Sequence, residues 1–231
     1  MRVNYVYQVL IVFLVLSSYC YAPLECAASS SEPSTEYILI TGFEPFGDYD
    51  INPSECIVET LDGSYIAGYE IIGIVLPVDF EDAVECILES IDDQKPCLVL
   101  SLGLDERTTT IDVEKVAVNL KRYARNELPL WFLPRFLSRG DPLFQWSPVN
   151  AQNIKEALTT DEIPAKLSLS AGTYVCNAVF YHSLLYCQEN NLHTTTGFLH
   201  VPLLDTQSPD GLSLSMMLDA VNITLACCLE K

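Results

Sequence analysis

Short apolar runs alternate with amphipathic segments along most of the chain. The runs are rich in β-branched and aromatic residues and end in glycine, proline or polar residues, which is typical of buried strands. Between them, apolar residues recur at helical spacing, most regularly over residues 80–91. The predicted strands are YILITGF (37–43), YEIIGIVLPV (69–78), CLVLSLG (97–103), IDVEKVAVNL (111–120), AKLSLS (165–170) and TTTGFLHVP (194–202).

Helices are predicted in the gaps between these strands. Pro53 begins the segment PSECIVETL, where it suits the first turn of a helix. Further helices are predicted over 80–91, 150–158, 175–189 and 212–231. Continuous apolar strands that alternate with helices need helices on both faces of the sheet. The pattern therefore predicts an α/β fold, a three-layer α/β/α single domain with a mostly parallel, mixed central sheet. The alternating run IDVEKVAVNL is predicted to be a half-exposed strand of that sheet.

One region, residues 121–146, departs from this alternation. It has no clean periodicity, contains three prolines and carries five basic and two acidic residues in an otherwise acidic protein. Long loops in compact domains are often lids or binding loops. One interpretation is a lid or a contact between subunits of a homo-oligomer. The other is a solvated surface excursion with Trp131 and Trp146 packed inward.

The first 28 residues have the composition of a secretory signal peptide. A basic start is followed by the apolar run VLIVFLVLSS and by small residues that suit cleavage after Ala28. The alternative is an uncleaved anchor, because residues 5–22 reach the lower limit for spanning a bilayer. Residues 29–36 predict a flexible lead-in, and residues 37–231 form the predicted domain. We therefore expect a secreted or secretory-lumen protein, with membrane anchoring as the alternative.

The charge balance and the cysteines narrow the possible partners. The chain has 31 acidic and 12 basic residues, and its formal net charge of −19 should repel nucleic acid and anionic membranes. No stable membrane association is expected once the signal has been cleaved.

Seven of the nine cysteines lie beyond the signal, an odd number that leaves at least one thiol unpaired within the chain. No C-x-x-C spacing or zinc-finger histidine pattern occurs, so no metal site is expected.

One of these cysteines, Cys176 in SAGTYVCN, lies where a predicted strand passes into a predicted helix. Gly172 permits a sharp turn, and a helix that begins near Val175 places Cys176 in its first turn. The partial positive charge and free N–H groups of a helix N-terminus favour a thiolate and can stabilise an oxyanion. These features make Cys176 a candidate nucleophile, and a buried or disulfide-bonded cysteine is the alternative.

A thiolate nucleophile usually works with a histidine, and the chain has three. His182 lies six residues beyond Cys176 on the same predicted helix and projects in a different direction, and His193 lies in a polar turn. His200 ends a strand, where sites are built in sheets of this class, or is a hydrogen-bonded core histidine. Glu114, an acid within an apolar stretch, is a candidate for orienting such an imidazole. An exposed strand carboxylate is the alternative for Glu114.

Five motifs in a fixed order point to one known family. They are TGFEPFG (41–47), NPS (52–54), IDVEKVAVN (111–119), SAGTYVCN (170–177) and GFLHVP (197–202). Together they resemble the cysteine-class pyroglutamyl peptidases, or pyrrolidone-carboxylate peptidases, from about Tyr37 to the closing helix. The resemblance implies a three-layer α/β/α fold. It also implies removal of an N-terminal pyroglutamate from peptides through an acyl-enzyme, without a metal or cofactor.

The resemblance further implies roles for individual residues. Cys176 would be the nucleophile, His200 the general acid and base, and Glu114 the residue that orients the imidazole. Aromatic faces and backbone hydrogen bonds suit a flat, uncharged lactam. The substrate-binding positions of the family fall on Phe43, Phe46, Gly103, Leu104, Tyr174 and Val175. For the two phenylalanines, anchoring of their loop in the core is the alternative.

The chain departs from the family pattern in two loops. An Arg-Ile-Pro-Asp-Asn run of many bacterial members is replaced by YARNELPL (123–130), where Arg125 is a candidate for the missing arginine. A Gly-Gly-Arg segment is replaced by Asp105-Glu106-Arg107. The family is mostly cytosolic, so the predicted signal is unusual. An active peptidase is the leading hypothesis. A catalytically silent, secreted homologue that binds pyroglutamyl peptides and a different thiol acyl-hydrolase are the alternatives.

Overall fold

A computed structural model describes residues 36–122 and 135–230 of the chain. The predicted signal at 1–28, almost all of the predicted lead-in and Trp131 lie outside the described residues. The strands within them are β1 (Tyr37–Phe43), β2 (Tyr65–Ile66), β3 (Tyr69–Leu76), β4 (Leu98–Leu104), β5 (Ile111–Glu114), β6 (Val116–Val118), β7 (Phe144–Trp146), β8 (Ala165–Ser168) and β9 (Thr195–Val201).

Five helices occur in the same part of the chain, each where the periodicity predicts one. They are α1 (Pro53–Leu61), α2 (Phe80–Gln94), α3 (Ala151–Thr160), α4 (Val175–Glu189) and α5 (Leu214–Leu229). None of these described helices is long and apolar enough to cross a bilayer.

Polar side chains fix the start of most of these helices. Asn52, Asp79, Asn150 and Ser213 precede α1, α2, α3 and α5, and the side chain of each accepts a hydrogen bond from a first-turn N–H group. Helix α4 begins differently, because its N-cap residue is Tyr174 and no side chain caps its first turn. The N–H groups at the start of α4 are therefore left available to a ligand.

Seven strands form the central sheet in the order β2-β3-β1-β4-β9-β5-β8. The pairs β2–β3 and β5–β9 are antiparallel, and the other neighbours are parallel. Strands β6 and β7 form a separate antiparallel pair. The predicted mostly parallel, mixed sheet is confirmed. Because β4 and β9 run in parallel, their carboxyl ends meet at one edge, with Gly103 opposite His200.

The two faces of the sheet are covered by different helices. Ile38 and Ile40 of β1 pack with α1, α3 and α5, whereas Leu39 packs on the opposite face with α2 and α4. This division follows from the alternation of side chains along a strand. Full burial of each such side chain stabilises the fold by about 2 kcal/mol. The predicted three-layer α/β/α architecture is confirmed.

The run IDVEKVAVNL differs from its prediction as a single half-exposed strand. It divides at Lys115 into β5, which lies in the central sheet, and β6, which pairs with β7. All four residues of β5 are buried. The polar positions of the alternation, Asp112 and Glu114, are buried because both have hydrogen-bonding partners inside the protein.

The region 121–146 also differs in part from its prediction. Trp146 is 64% exposed, so the interpretation that it packs inward is wrong. In β7 the side chain of Gln145 faces inward, and strand alternation turns Phe144 and Trp146 toward solvent. Trp131 lies outside the described residues. A lid or a contact between subunits stays a prediction.

Candidate active site

The loop that carries Phe43 and Phe46 is held by the NPS motif. The Asn52 side chain donates to the Glu44 carbonyl at 3.0 Å and accepts from the N–H and hydroxyl of Ser54. The Ser54 hydroxyl in turn accepts from the Phe43 N–H at 3.0 Å. Both phenylalanines line one cavity, Phe43 from a buried position. These bonds account for the joint occurrence of the TGFEPFG and NPS motifs.

Cys176 lies in the first turn of α4, as predicted. Gly172, whose φ of +79° is a left-handed conformation that suits glycine, forms the turn that leads into the helix. At Gly103 of β4 there is no room for a side chain. A Cβ placed there would lie 2.8 Å from the Cys176 Sγ and 3.4 Å from the His200 Cδ2. Cys176 and His200 therefore meet above the bare backbone of Gly103.

Asn177, the residue after Cys176, joins α4 to β6. Its side-chain oxygen accepts from the Val118 N–H at 2.8 Å, and its amide donates to the carbonyls of Val118 and Leu120 at 2.8 and 3.2 Å. Asn177 is fully buried. Asn177 has no predicted role, and the only sequence signal for one is its place directly after the candidate nucleophile. Its bonds fix the position of the first turn of α4 relative to β6.

His200 and Glu114 form a buried pair. The His200 Nδ1 lies 2.8 Å from the Glu114 Oε1, and the two residues are 7% and 2% exposed. Burial by itself lowers the pKa of His200. The contacts of the ring with Cys176 and Glu114 outweigh this effect and raise the pKa from its ordinary value to about 10. The three predicted residues thus form one chain of contacts, from Glu114 through His200 to Cys176.

The other described cysteines differ chemically from Cys176. All seven cysteines of this part of the chain are free thiols. Burial raises the pKa of each of the other six, which keeps them as weakly nucleophilic thiols at neutral pH. They are Cys56, Cys86, Cys97, Cys187, Cys227 and Cys228. Among the seven, Cys176 is the one that contacts His200.

A cavity of about 590 Å³ contains most of the predicted site. The predicted residues that line it are Phe43, Phe46, Leu104, Tyr174, Val175, Cys176 and His200. The two other predicted residues, Glu114 and Gly103, lie behind this lining, against His200 and Cys176 respectively. In residues 36–122 and 135–230, no group of three His, Cys, Asp or Glu side chains is arranged to hold a metal ion.

The cavity also has a charged rim, whose residues are not among the predicted site residues. Arg107 donates to both carboxylate oxygens of Asp105, at 2.9 and 3.1 Å. Burial alone would raise the pKa of Asp105, but these bonds and the charge of Arg107 keep it below its usual value. Glu106 accepts from the Tyr49 hydroxyl at 3.0 Å, and Arg122 lines the cavity beside the turn before Tyr174.

Arg125, the candidate for the family's missing arginine, lies outside the described residues. The rim residues Asp105, Glu106 and Arg107 follow directly after β4. Their place at a carboxyl strand end was the signal that could have assigned them to the cavity.

Comparison with known proteins gives one family. The sequence profile of the pyroglutamyl peptidases matches residues 36–231. This chain belongs to the pyroglutamyl peptidase family. The members are cysteine-type peptidases, and the chain is accordingly a hydrolase of that class.

The matches to individual relatives extend over most of the domain. The pyrrolidone-carboxylate peptidase of Pyrococcus furiosus is 34% identical over 205 residues, which cover 84% of this chain and 98% of the relative. That of Halalkalibacterium halodurans is 36% identical over 166 residues, or 71% of this chain and 83% of the relative.

Solved structures of the family have the same fold. The pyrrolidone carboxyl peptidase of Thermococcus litoralis superposes with a TM-score of 0.78 at 30% identity, over 84% of this chain and 93% of the other. The pyroglutamyl peptidase I of Bacillus amyloliquefaciens superposes with a TM-score of 0.76 at 28% identity, over 84% of this chain and 96% of the other.

Proposed function

We propose that this protein removes an N-terminal pyroglutamyl residue from peptides, with Cys176 as the nucleophile. His200 is the general acid and base, and Glu114 orients the imidazole. The observation that carries this assignment is the convergence of the three residues at one end of the cavity. The Glu114–His200 contact of 2.8 Å leaves the other side of the ring to Cys176.

The chemistry follows from these positions. The Cys176 thiolate attacks the carbonyl carbon that joins the pyroglutamyl residue to the next nitrogen, and the carbonyl oxygen becomes an oxyanion. We expect the uncapped N–H groups at the start of α4 to donate to that oxyanion. Protonated His200 gives its proton to the leaving amine as the C–N bond breaks. Water then attacks the thioester with His200 as base, which releases pyroglutamate and returns the proton to the ring.

Recognition of the lactam fits the lining of the cavity. Pyroglutamate is flat and carries no charge on its ring, so aromatic faces and backbone hydrogen bonds are suitable partners. Phe43, Phe46 and Val175 supply apolar surface, and Leu104 lies at the carboxyl end of β4 beside His200. Tyr174 is held by an edge-to-face contact with Phe80, with ring centroids 5.3 Å apart.

The test is release of a fluorophore from a pyroglutamyl amide under reducing conditions. We expect turnover by the wild type and none by Cys176→Ala. Cys56→Ala is the matched control and should retain activity, because this thiol lies on α1 away from the cavity. Inactive wild type, or active Cys176→Ala, would refute the proposal. Prolyl and alanyl amides tested in parallel would identify a different acyl-hydrolase.

The destination of the protein is a further part of the proposal. We expect cleavage after Ala28 and export, because residues 1–28 have the composition of a signal peptide. The sequon Asn222-Ile223-Thr224 adds little support, since it lies within α5 and Thr224 is buried. N-terminal sequencing of protein recovered from medium and from cells tests the proposal. Recovery of uncut chain from the cytosol alone contradicts both export and the anchored alternative.

A further inference from the structure

A second buried carboxylate, Asp112, lies next to the Glu114–His200 pair. Asp112 and Glu114 are two residues apart on β5, and alternation places both on one face of the sheet. Ile111 and Val113, which alternate with them along β5, pack in the core on the opposite face. Asp112 is buried, yet it has no part in the proposed mechanism and no predicted role.

The Asp112 carboxylate is fully engaged by groups other than His200. Its Oδ1 accepts from the Thr108 and Thr110 hydroxyls at 2.9 and 2.7 Å. Its Oδ2 lies 3.1 Å from the Lys166 Nζ, which also donates to Thr108 at 3.1 Å. The Lys166 side chain is 55% exposed, so solvent reaches the cation but not the carboxylate. A carboxylate with three partners keeps a fixed orientation.

Strand register places Asp112 between His200 on one neighbouring strand and Lys166 on the other. Asp112 is the direct partner of His200 across the antiparallel β5–β9 pair and of Lys166 across the parallel β5–β8 pair. Direct cross-strand partners have Cβ atoms about 5 Å apart and share a face of the sheet. The row His200–Asp112–Lys166 therefore crosses three strands, with the negative charge in the middle.

We propose that Asp112 is a second positioning carboxylate for His200. Its negative charge stabilises the protonated imidazole across the β5–β9 pair, and the ion pair with Lys166 limits the strength of this effect. The inference rests on the proposed pairing of Cys176 with His200. According to this inference, Lys166 affects the pKa of His200 through its ion pair with Asp112, although Lys166 does not contact the imidazole.

Several other groups face His200 and stay constant in the test. Cys176 approaches from α4 and Glu114 from β5. Asp105 approaches from the loop after β4 with its charge paired to Arg107. Lys166 pairs with Asp112 and Thr108 and with none of these groups, so its replacement leaves them in place. Loss of its charge acts on His200 through Asp112 and directly, and both effects raise the pKa of His200.

The experiment is an NMR titration of the histidine rings, which a chain with only three histidines makes practicable. Asp112→Asn should lower the pKa of His200 by about half a pH unit, because it removes a negative charge whose effect Lys166 already offsets in part. Lys166→Met should raise it by a smaller amount, because the lysine is half exposed. The alkaline limb of kcat/KM for a pyroglutamyl amide should move in the same two directions with KM unchanged.

A purely structural role would give another result. Loss of a clamp between strands would affect both variants in the same direction, whereas the proposed field effect gives shifts of opposite sign. Lys155→Met, on α3, is the matched control and should leave the His200 titration unchanged. Thr110→Val keeps the charges of Asp112 and Lys166, so it serves as a milder variant if a charge variant does not fold. It should raise the pKa of His200, as Lys166→Met should.

Shifts of the same sign in Asp112→Asn and Lys166→Met, or an unchanged titration in Asp112→Asn, overturn the inference. In Thr110→Val, an unchanged titration or a shift in the opposite direction does the same. The NMR measurement needs no substrate. If the proposed peptidase activity were absent, the pKa shifts of His200 would still be observed. Failure of the proposed function and failure of this inference can therefore be told apart.

Discussion

Gly103 has no room for a side chain, and this gives a sharp test of the site. A Cβ added at Gly103 would lie 2.8 Å from the Cys176 Sγ, 3.0 Å from the Phe198 Cζ and 3.4 Å from the His200 Cδ2. Ordinary contacts between such atoms are about 3.5–4 Å. The Cys176 sulfur or the strand must therefore move by about 1 Å to accommodate a methyl group.

A displacement of this size should affect catalysis far more than stability. Misplacement of a reacting atom by about 1 Å can cost about 100-fold in rate, whereas an extra methyl group in a packed region costs about 1–3 kcal/mol. We expect Gly103→Ala to lower kcat for a pyroglutamyl amide by about that factor, and to slow alkylation of Cys176 by iodoacetamide. The alkylated peptide is identified by mass spectrometry, which separates Cys176 from the other thiols.

Gly197→Ala is the matched control for this experiment. Gly197 lies on β9 of the same sheet, and its added Cβ would meet Val149 Cγ1 at 3.2 Å and Leu100 Cδ1 at 3.4 Å, away from Cys176. Its stability cost should be similar and its kcat close to that of the wild type. A Gly103→Ala enzyme with unchanged kcat and unchanged Cys176 alkylation would refute the proposed contact between sulfur and strand.

Three further predictions concern residues around the nucleophile. Glu114→Gln removes a contact that raises the pKa of His200, so the alkaline limb of kcat/KM should move to lower pH, as a pH–rate profile measures. Because the pKa of His200 is raised to about 10 in the folded protein, protonated His200 stabilises the wild type below its ordinary pKa, and this stabilisation is lost as pH rises through about 10. The melting temperature of the wild type should therefore fall over this pH range. His200→Asn should lack this contribution to the fall. Asn177→Ala removes the side-chain partner of the half-buried N–H and C=O groups of Val118 and should cost about 1–3 kcal/mol in denaturant unfolding, whereas exposed Asn153→Ala should cost little.

The parts of the fold that sequence predicts are those set by local physics. Helical spacing over residues 80–91 gives α2, and continuous apolar runs give β1 and β4. The predicted start of α4 near Val175 rests on Gly172, because glycine permits the left-handed conformation that the preceding turn adopts. His200 was placed at the carboxyl edge by the same reasoning. These assignments needed no knowledge of which strands are neighbours.

The errors and omissions concern properties that depend on neighbours. Alternation in β7 shows that Phe144 and Trp146 share a face, but three residues do not show which face meets solvent. The pairing of Asp112 with His200 and Lys166 requires the order β9-β5-β8, which local pattern does not contain. For the same reason, IDVEKVAVNL was predicted as one strand, although its two halves join different sheets.

The reactivity of the thiols bears on both the proposed chemistry and the proposed export. Disulfide exchange proceeds through a thiolate, and burial raises the pKa of the other six described cysteines, which makes them slow to react. Cys176 differs because it borders an open cavity and contacts the His200 ring. Among the seven described cysteines, Cys176 is the thiol that an oxidant entering the cavity would meet. Export would therefore place the nucleophile under redox control, and activity would depend on reductant through this residue rather than through the fold.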